Sequence, residues 1–357
     1  MAACLFLTPV PRSPSRFAPP VQWTKTFAGW GGARGYCVQQ TSDGGYIAVG
    51  TTSSADSTTT YAVRLVKLNA SGDSQWVKTF KAAGGMMGAS VVQTSDGGYM
   101  VAGGSTANRG HWDPCIIRTD ASGNELWRSL LTDRFSARAC SVVRLGDTGY
   151  AVVAKRDLSD SAVVLYQTDN MGNPRWSHAY GVFYDLEARD EELSLSRTSD
   201  GGYIIGTKTL LKVDSLGAQP QLKTYSKLGN ANSVIQTSDG GYAATGEKDP
   251  SSIYLLKTNA NLGIVWKRSY VPSEWSRGHW VEQTTDGGYI ICGTTRPGNG
   301  DDKVTLVRTS SNGTQMWTDT LSADYGYCVR QTTDGGFIVA GTSGGLFVTK
   351  LAPERTR

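Results

Sequence analysis

The sequence predicts an all-β protein: a seven-bladed β-propeller of four-stranded antiparallel blades, its ring closed by an N-terminal strand, residues 21–27, that joins the last blade. Three observations predict it. A turn motif recurs seven times, strand-like segments fill each interval between copies, and the strand missing from the last unit stands at the other end of the chain.

The motif is "QTSDGGYIAVG", Gln40 to Gly50. It returns as "QTSDGGYMVAG" from Gln93, "RTSDGGYIIG" from Arg197, "QTSDGGYAATG" from Gln236, "QTTDGGYIICG" from Gln283 and "QTTDGGFIVAG" from Gln331, with a worn copy, "RLGDTGYAVVA", from Arg144. The turn aspartates fall at 43, 96, 147, 200, 239, 286 and 334. Such a period, built of strand-like pieces, signals a propeller or a similar array. Composition agrees: 43 glycines, with Tyr, Trp, Thr, Val and Ser plentiful, suit short strands and tight turns. No window sustains an apolar period of 3.6, so helix is not expected.

In the first unit "RGYCVQQT" is strand A, "YIAVGTT" strand B, "YAVRLVKLN" strand C and "SQWVKTF" strand D. Asp-Gly-Gly between A and B offers the positive φ angles that tight hairpins demand. A second glycine turn joins C to D, as in "TDASGNELW" and "TSSNGTQMW". One such meander cannot bury both faces, whereas a ring of them buries the faces and leaves short outer edges. The last unit stops after "LFVTKL", and "VQWTKTF", Val21 to Phe27, matches the absent D strand. The predicted organisation is a proline-rich arm over 1–20, a propeller over 21–351 and a tail over 352–357.

Strand D carries a second mark. Trp23, Trp76, Trp127, Trp176, Trp266 and Trp317 hold one position, followed four residues later by Phe27, Phe80, Leu131, Tyr180, Tyr270 and Leu321; the fourth unit departs, with Gln221 in the tryptophan place. Six buried indoles read as packing anchors between blades.

On the "QTSDGGY" repeats the chain resembles seven-bladed β-propellers that carry them in proteins of unassigned function. The "TDASGNELW" turn-and-Trp pattern is similar to quinoprotein-like and kelch-like propeller repeats. The resemblance implies the fold over about residues 21–351 and no function, because it describes a scaffold. No set of acid and amide ligands matches a quinoprotein cofactor site, so no cofactor is expected.

Composition excludes several classes. The net charge of +4 is dispersed, without the basic stripe that nucleic acid requires. No segment reaches the roughly 18 to 20 apolar residues of a membrane span. The first twenty residues hold five prolines, two arginines and no acid; they read as a retained arm that docks on the body or a partner, or as a signal or transit segment. Six scattered cysteines without CxxC, and three histidines, argue against zinc. Cys37 and Cys328 stand six residues before the turn Asp, where four copies have Ser90, Ser141, Ser194 and Ser233, and read as free core thiols.

What recurs in every unit is architecture, so function is sought where units differ. The D–A and B–C links share one face. There lie Trp30, Arg34, Arg109, His111, Trp112, Arg138, Trp275, Arg277, His279, Trp280 and Arg296. Aromatic and arginine enrichment suits recognition of a protein, or of a sugar or planar anion. A second deviation, "GVFYDLEARDEEL", puts Asp185, Glu187, Asp190, Glu191 and Glu192 on an acidic rim beside the shortest unit. No nucleophile elbow is present, His178 on a D strand reads as structural, and the glycine turns lack the acids of a calcium loop. The expectation is a non-enzymatic binding or scaffold protein that meets a protein partner through this face, as an accessory subunit of a larger assembly in one version. The alternative is a glycan-binding or glycan-cleaving propeller using the same face.

Overall fold

The computed structural model describes residues 17–28, 30–53, 61–107, 110–132, 135–156, 162–181, 193–225, 228–248, 251–271, 273, 275–298 and 300–354. Among these, every regular element is a β-strand, and the strands form seven four-stranded antiparallel sheets. Each sheet is one blade with strand order A-B-C-D. Blade 1 comprises Trp30–Gln40, Tyr46–Ser53, Tyr61–Leu68 and Ser74–Phe80. The A strands of blades 2 to 7 are Met86–Gln93, Ala137–Arg144, Ser194–Arg197, Ala231–Gln236, Trp275–Gln283 and Tyr325–Gln331.

The predicted closure is present. Val21–Ala28 pairs antiparallel with Gly345–Leu351 as the D strand of blade 7, running from Val21 opposite Leu351 to Ala28 opposite Gly345. Thr24 and Thr349 share a hydroxyl hydrogen bond of 2.8 Å within this seam blade. The chain just before it is also tied down, since Ala352 N donates to Pro20 O at 2.9 Å and Ala18 packs against the blade 6–7 core.

The repeated aspartate organises the A–B turn from three sides. In blade 1 the Thr41 hydroxyl and Gly45 N–H donate to Asp43 Oδ1, and Lys67 Nζ, from strand C, lies 2.8 Å from Oδ2. The same cation returns as Lys212 on Asp200, Lys257 on Asp239 and Lys350 on Asp334, and as arginine in Arg118 on Asp96 and Arg308 on Asp286. The cations are buried, Lys212 only partly, and the carboxylates face solvent, so each pair lets an ammonium or guanidinium cross the blade edge without going uncompensated. Blade 3, the worn copy, has Gln167 in the cation place, and its Asp147 pairs instead with Arg144 at 3.1 Å.

The glutamine of the motif is a latch between blades. Its Oε1 accepts the backbone N–H from the turn of the preceding blade: Gln93 from Ser42, Gln236 from Ser199, Gln283 from Ser238, Gln331 from Thr285, and Gln40 from Thr333 across the seam, at 2.6 to 2.8 Å. The tryptophans work at the outer radius. Five indoles lie on the C–D turn glycine of the next blade, where an added Cβ would come within 3 Å of the ring: Trp23 on Gly72, Trp76 on Gly123, Trp127 on Gly172, Trp176 on Gly217, Trp266 on Gly313; the sixth, Trp317, donates its Nε1–H to Glu354 at 2.7 Å. The Trp23, Trp76, Trp176, Trp266 and Trp317 rings also meet the aromatic that follows the turn glycines of the next blade edge-on, as in Trp23–Tyr46 at 5.6 Å. Facing blades merge their strand B and C side chains into continuous apolar layers, such as Val49, Val63 and Leu65 with Val91 and Val101.

Candidate functional site

The innermost strands carry a local irregularity that builds the axis. In six blades the A–B register shifts at one residue, seven before the turn Asp: between Gly35 and Cys37, Gly88 and Ser90, Ala139 and Ser141, Ala231 and Ser233, Gly278 and Trp280, Gly326 and Cys328. This is a β-bulge, which re-aims one side chain out of the pleat. The bulged residues Tyr36, Ala89, Cys140, Asn232, His279 and Tyr327, with Leu193 in blade 4, line a cavity of about 50 Å³ on the axis. Glycine on strand B makes room: a Cβ at Gly50 or Gly103 would run into the carbonyl of Arg34 or Met87. The position is architecturally conserved around the ring, yet its residue type changes in nearly every blade. It is therefore a set of variable positions gathered by a repeated backbone device. One side of the cavity is aromatic, with Tyr327 against Tyr36 at 5.1 Å and against His279 at 5.3 Å.

On the face of the D–A and B–C links, Trp275 is flanked by two guanidinium groups, Arg277 at 5.4 Å and Arg296 at 5.8 Å from its ring centroid. Each arginine is fixed by a carboxylate. Arg277 donates through Nε and Nη2 to Glu247 Oε2 at 3.1 and 3.0 Å, and Arg296 makes a two-pronged pair with Asp302 at 2.8 and 2.9 Å. Tyr325 donates its hydroxyl to Asp302 at 2.6 Å and lies nearly parallel to Tyr327 at 6.2 Å. Burial pushes the Asp302 carboxyl up, but Arg296 and Tyr325 together hold it below the usual carboxylate range. A continuous series of contacts thus runs from Trp275 at the rim, through Arg296, Asp302 and Tyr325, to Tyr327 in the axial cavity.

The residues singled out in the sequence do not form one patch. Trp275, Arg277 and Arg296 come together on blade 6, with Glu247 of blade 5 against Arg277. Trp112 and Arg138 meet at blades 2 and 3, 5.8 Å apart, beside His111, whose Nε2 is 3.5 Å from the buried Asp113. His279 and Trp280 leave the face for the channel wall, where Arg330 lies over the Trp280 ring at 4.5 Å. Arg34 is exposed on the A strand of blade 1, and Trp30 stands in the same strand opposite Ser53. Arg109 and the acidic rim of Asp185, Glu187, Asp190, Glu191 and Glu192 lie outside the described residues, as do residues 1–16 of the arm and 355–357 of the tail. His178 is exposed on strand D of blade 3, with its ring 5.2 Å from Trp176 and 6.4 Å from Tyr180. Among the described residues no three His, Cys, Asp or Glu side chains converge as a metal site, and the five described cysteines are buried thiols.

The opposite mouth of the channel, on the A–B turn face, is a wider polar funnel of about 570 Å³ lined by Gln39, Gln40, Gln236, Gln283, Gln331, Glu282 and Arg330. Arg330 pairs with Glu282 at 3.1 Å. The sequence reading passed over both this funnel and the bulge ring. A signal for each was present, in the glutamine three before the turn Asp and in the variable residue seven before it, but neither reads as a channel until the strands are placed around an axis.

The geometry defines a seven-bladed propeller with two dissimilar channel mouths, one aromatic and arginine-bearing, the other rich in amides. No family model matches the chain, and no curated protein does. Solved structures are similar in fold. They include the WD40 β-propeller domain of Doa1, with a TM-score of 0.62 at 14% identity over 94% of this chain and 97% of that one. YCF48 bound to D1 peptide gives 0.57 at 11% identity, over 96% and 99%. BBS1N in complex with ARL6DN gives 0.56 at 12%, over 97% and 99%.

Proposed function

We propose that the protein is a non-enzymatic interaction module that binds a protein partner on the face bearing Trp275, Arg277 and Arg296, and that it serves as an accessory subunit of a larger assembly. The observation that carries this reading is the fixing of Trp275 between two arginines that are themselves held by Glu247 and Asp302. An aromatic and two guanidinium groups already held by carboxylates lose little conformational freedom when a partner docks. That combination is typical of the few residues that dominate binding energy at interfaces. Two of the similar propellers were solved with a protein or peptide bound, which supports the same reading for a ring of this shape. The proline-rich segment before Val21 is proposed as a second, tethering contact.

Two experiments test the proposal. Isolation of the protein from its source should yield a stoichiometric partner that is lost with Trp275→Ala. A glycan array should show no binding. Sugar binding abolished by the same substitution would replace this reading with the carbohydrate one.

A further inference from the structure

We propose that Cys37 and Cys328 are a peroxide-sensitive thiol pair that converts to a disulfide and seals the propeller covalently across its seam. The argument starts from the serines that occupy the same place in other blades. Ser90, Ser194 and Ser233 each reach the inner strand of the next blade, accepting the N–H of Val142, Val234 and Val281 at 3.4, 2.7 and 3.2 Å. A side chain here is therefore laid against its counterpart strand by the ring geometry itself. In blade 7 that side chain is Cys328, whose Sγ donates to Val38 O at 3.6 Å, the residue following Cys37. Blades 7 and 1 are the pair of neighbouring blades in which both such positions are cysteine, and each thiol reaches the inner strand of the blade that follows it, Cys328 beside Cys37 and Cys37 on Val91 O at 3.8 Å. These blades flank a join held by non-covalent contacts, the strand pairing, the Thr24–Thr349 hydrogen bond and the Gln40–Thr333 latch.

The two sulfurs are not equivalent. Cys37 lines the axial cavity, which gives a small oxidant a way in, whereas Cys328 is fully buried behind it. The neighbouring Cys328 side chain, against burial and with the help of the Arg330 charge, lowers the Cys37 thiol. Burial and the neighbouring Cys37 push Cys328 up. Cys37 is thus the nucleophile and Cys328 the resolving thiol. The Cys37 thiolate attacks one oxygen of hydrogen peroxide, the O–O bond breaks, and hydroxide leaves, giving Cys37 sulfenic acid. The Cys328 sulfur then attacks the Cys37 sulfur; the S–S bond forms and the S–O bond breaks, with the Cys328 proton leaving in water. Two thiols are oxidised and one peroxide is reduced to two waters.

The test treats the full-length folded protein with a small excess of hydrogen peroxide and maps it by mass spectrometry after non-reducing digestion. The proposal predicts loss of the mass of two hydrogens, one cross-linked peptide joining Cys37 to Cys328, and a raised unfolding midpoint that a dithiol reductant reverses. Cys328→Ser, which installs the residue four other blades use, should leave Cys37 as sulfenic acid that a cyclic dione captures. Recovery of both cysteines as free thiols, or oxidation at Cys140 with Cys37 still reduced, would overturn it. The wild-type map decides the matter even should the variant fold poorly.

Discussion

Leu262 stands where five other blades place a glycine, and Gln221, on the neighbouring blade, stands where those interfaces place a tryptophan. The two departures compensate. Without an indole above it, the C–D turn of blade 5 accepts a side chain, and Leu262 is 2% exposed in a cluster with Tyr225, Tyr242 and Tyr254. It holds a left-handed backbone with φ of 60°, a conformation that a Cβ makes costly. Tyr225 donates to its carbonyl at 2.9 Å, as Tyr180 does to Gly217 and Tyr270 to Gly313. Leu262→Gly alone should therefore cost about 2–4 kcal/mol, the cavity outweighing the relief of backbone strain. Gln221→Trp alone should cost about 1–3 kcal/mol by overpacking. The double variant should recover much of both losses, and denaturant unfolding of all four proteins measures the coupling.

The turn aspartates set the acid limit of the fold. Hydrogen bonds from Thr237, against burial and with the help of Lys257, hold Asp239 down to about 2; Thr198 and Lys212 do the same for Asp200. Their unfolded value is about 3.9. Depressed folded values mean that the stabilisation is complete above about pH 4 and is lost as pH falls towards 2. Melting temperature should drop through that window. Asp239→Asn should lower stability at neutral pH by about 1–3 kcal/mol, since Lys257 keeps a buried ammonium with its carboxylate gone, and should flatten the acid slope. An unchanged slope would show that these pairs do not govern acid unfolding.

The seam makes a separate prediction. Removing residues 21–27 strips the D strand from blade 7, uncovers Gly345–Leu351 as a bare edge, and takes Trp23 off Gly72. The truncated protein should unfold at lower denaturant and self-associate through the open edge, which sedimentation velocity would detect. A monomer of wild-type stability would refute the closure.

How much of this was legible before the strands were placed depended on whether a feature was periodic. The Asp-Gly-Gly turns, the displaced strand at Val21 and the D-strand tryptophans repeat, so counting found them. The cation opposite six of the seven turn aspartates was hidden because it alternates between lysine and arginine and lies 12 to 24 residues away, on strand C. The channel lining was hidden for the opposite reason: Tyr36, Ala89, Cys140, Leu193, Asn232, His279 and Tyr327 share a place but no chemistry. The candidate face was legible as a composition and not as a geometry. Its tryptophans and arginines divide among blade 1, blades 2–3 and blade 6, and the bulge sends His279 to the axis although it lies two residues from Arg277.

The central claim is that binding resides in the Trp275 cluster rather than in the repeated scaffold. The measurement that tests it most directly is the affinity of the isolated partner for the wild type, for Trp275→Ala, and for Ile264→Ser, a control at an exposed position on the outer strand of blade 5. Trp275→Ala should weaken binding by about 30-fold or more, corresponding to about 2 kcal/mol, with its melting temperature close to that of the wild type, while Ile264→Ser should bind normally. Equal affinity of wild type and Trp275→Ala would contradict the account and move the site elsewhere on the ring.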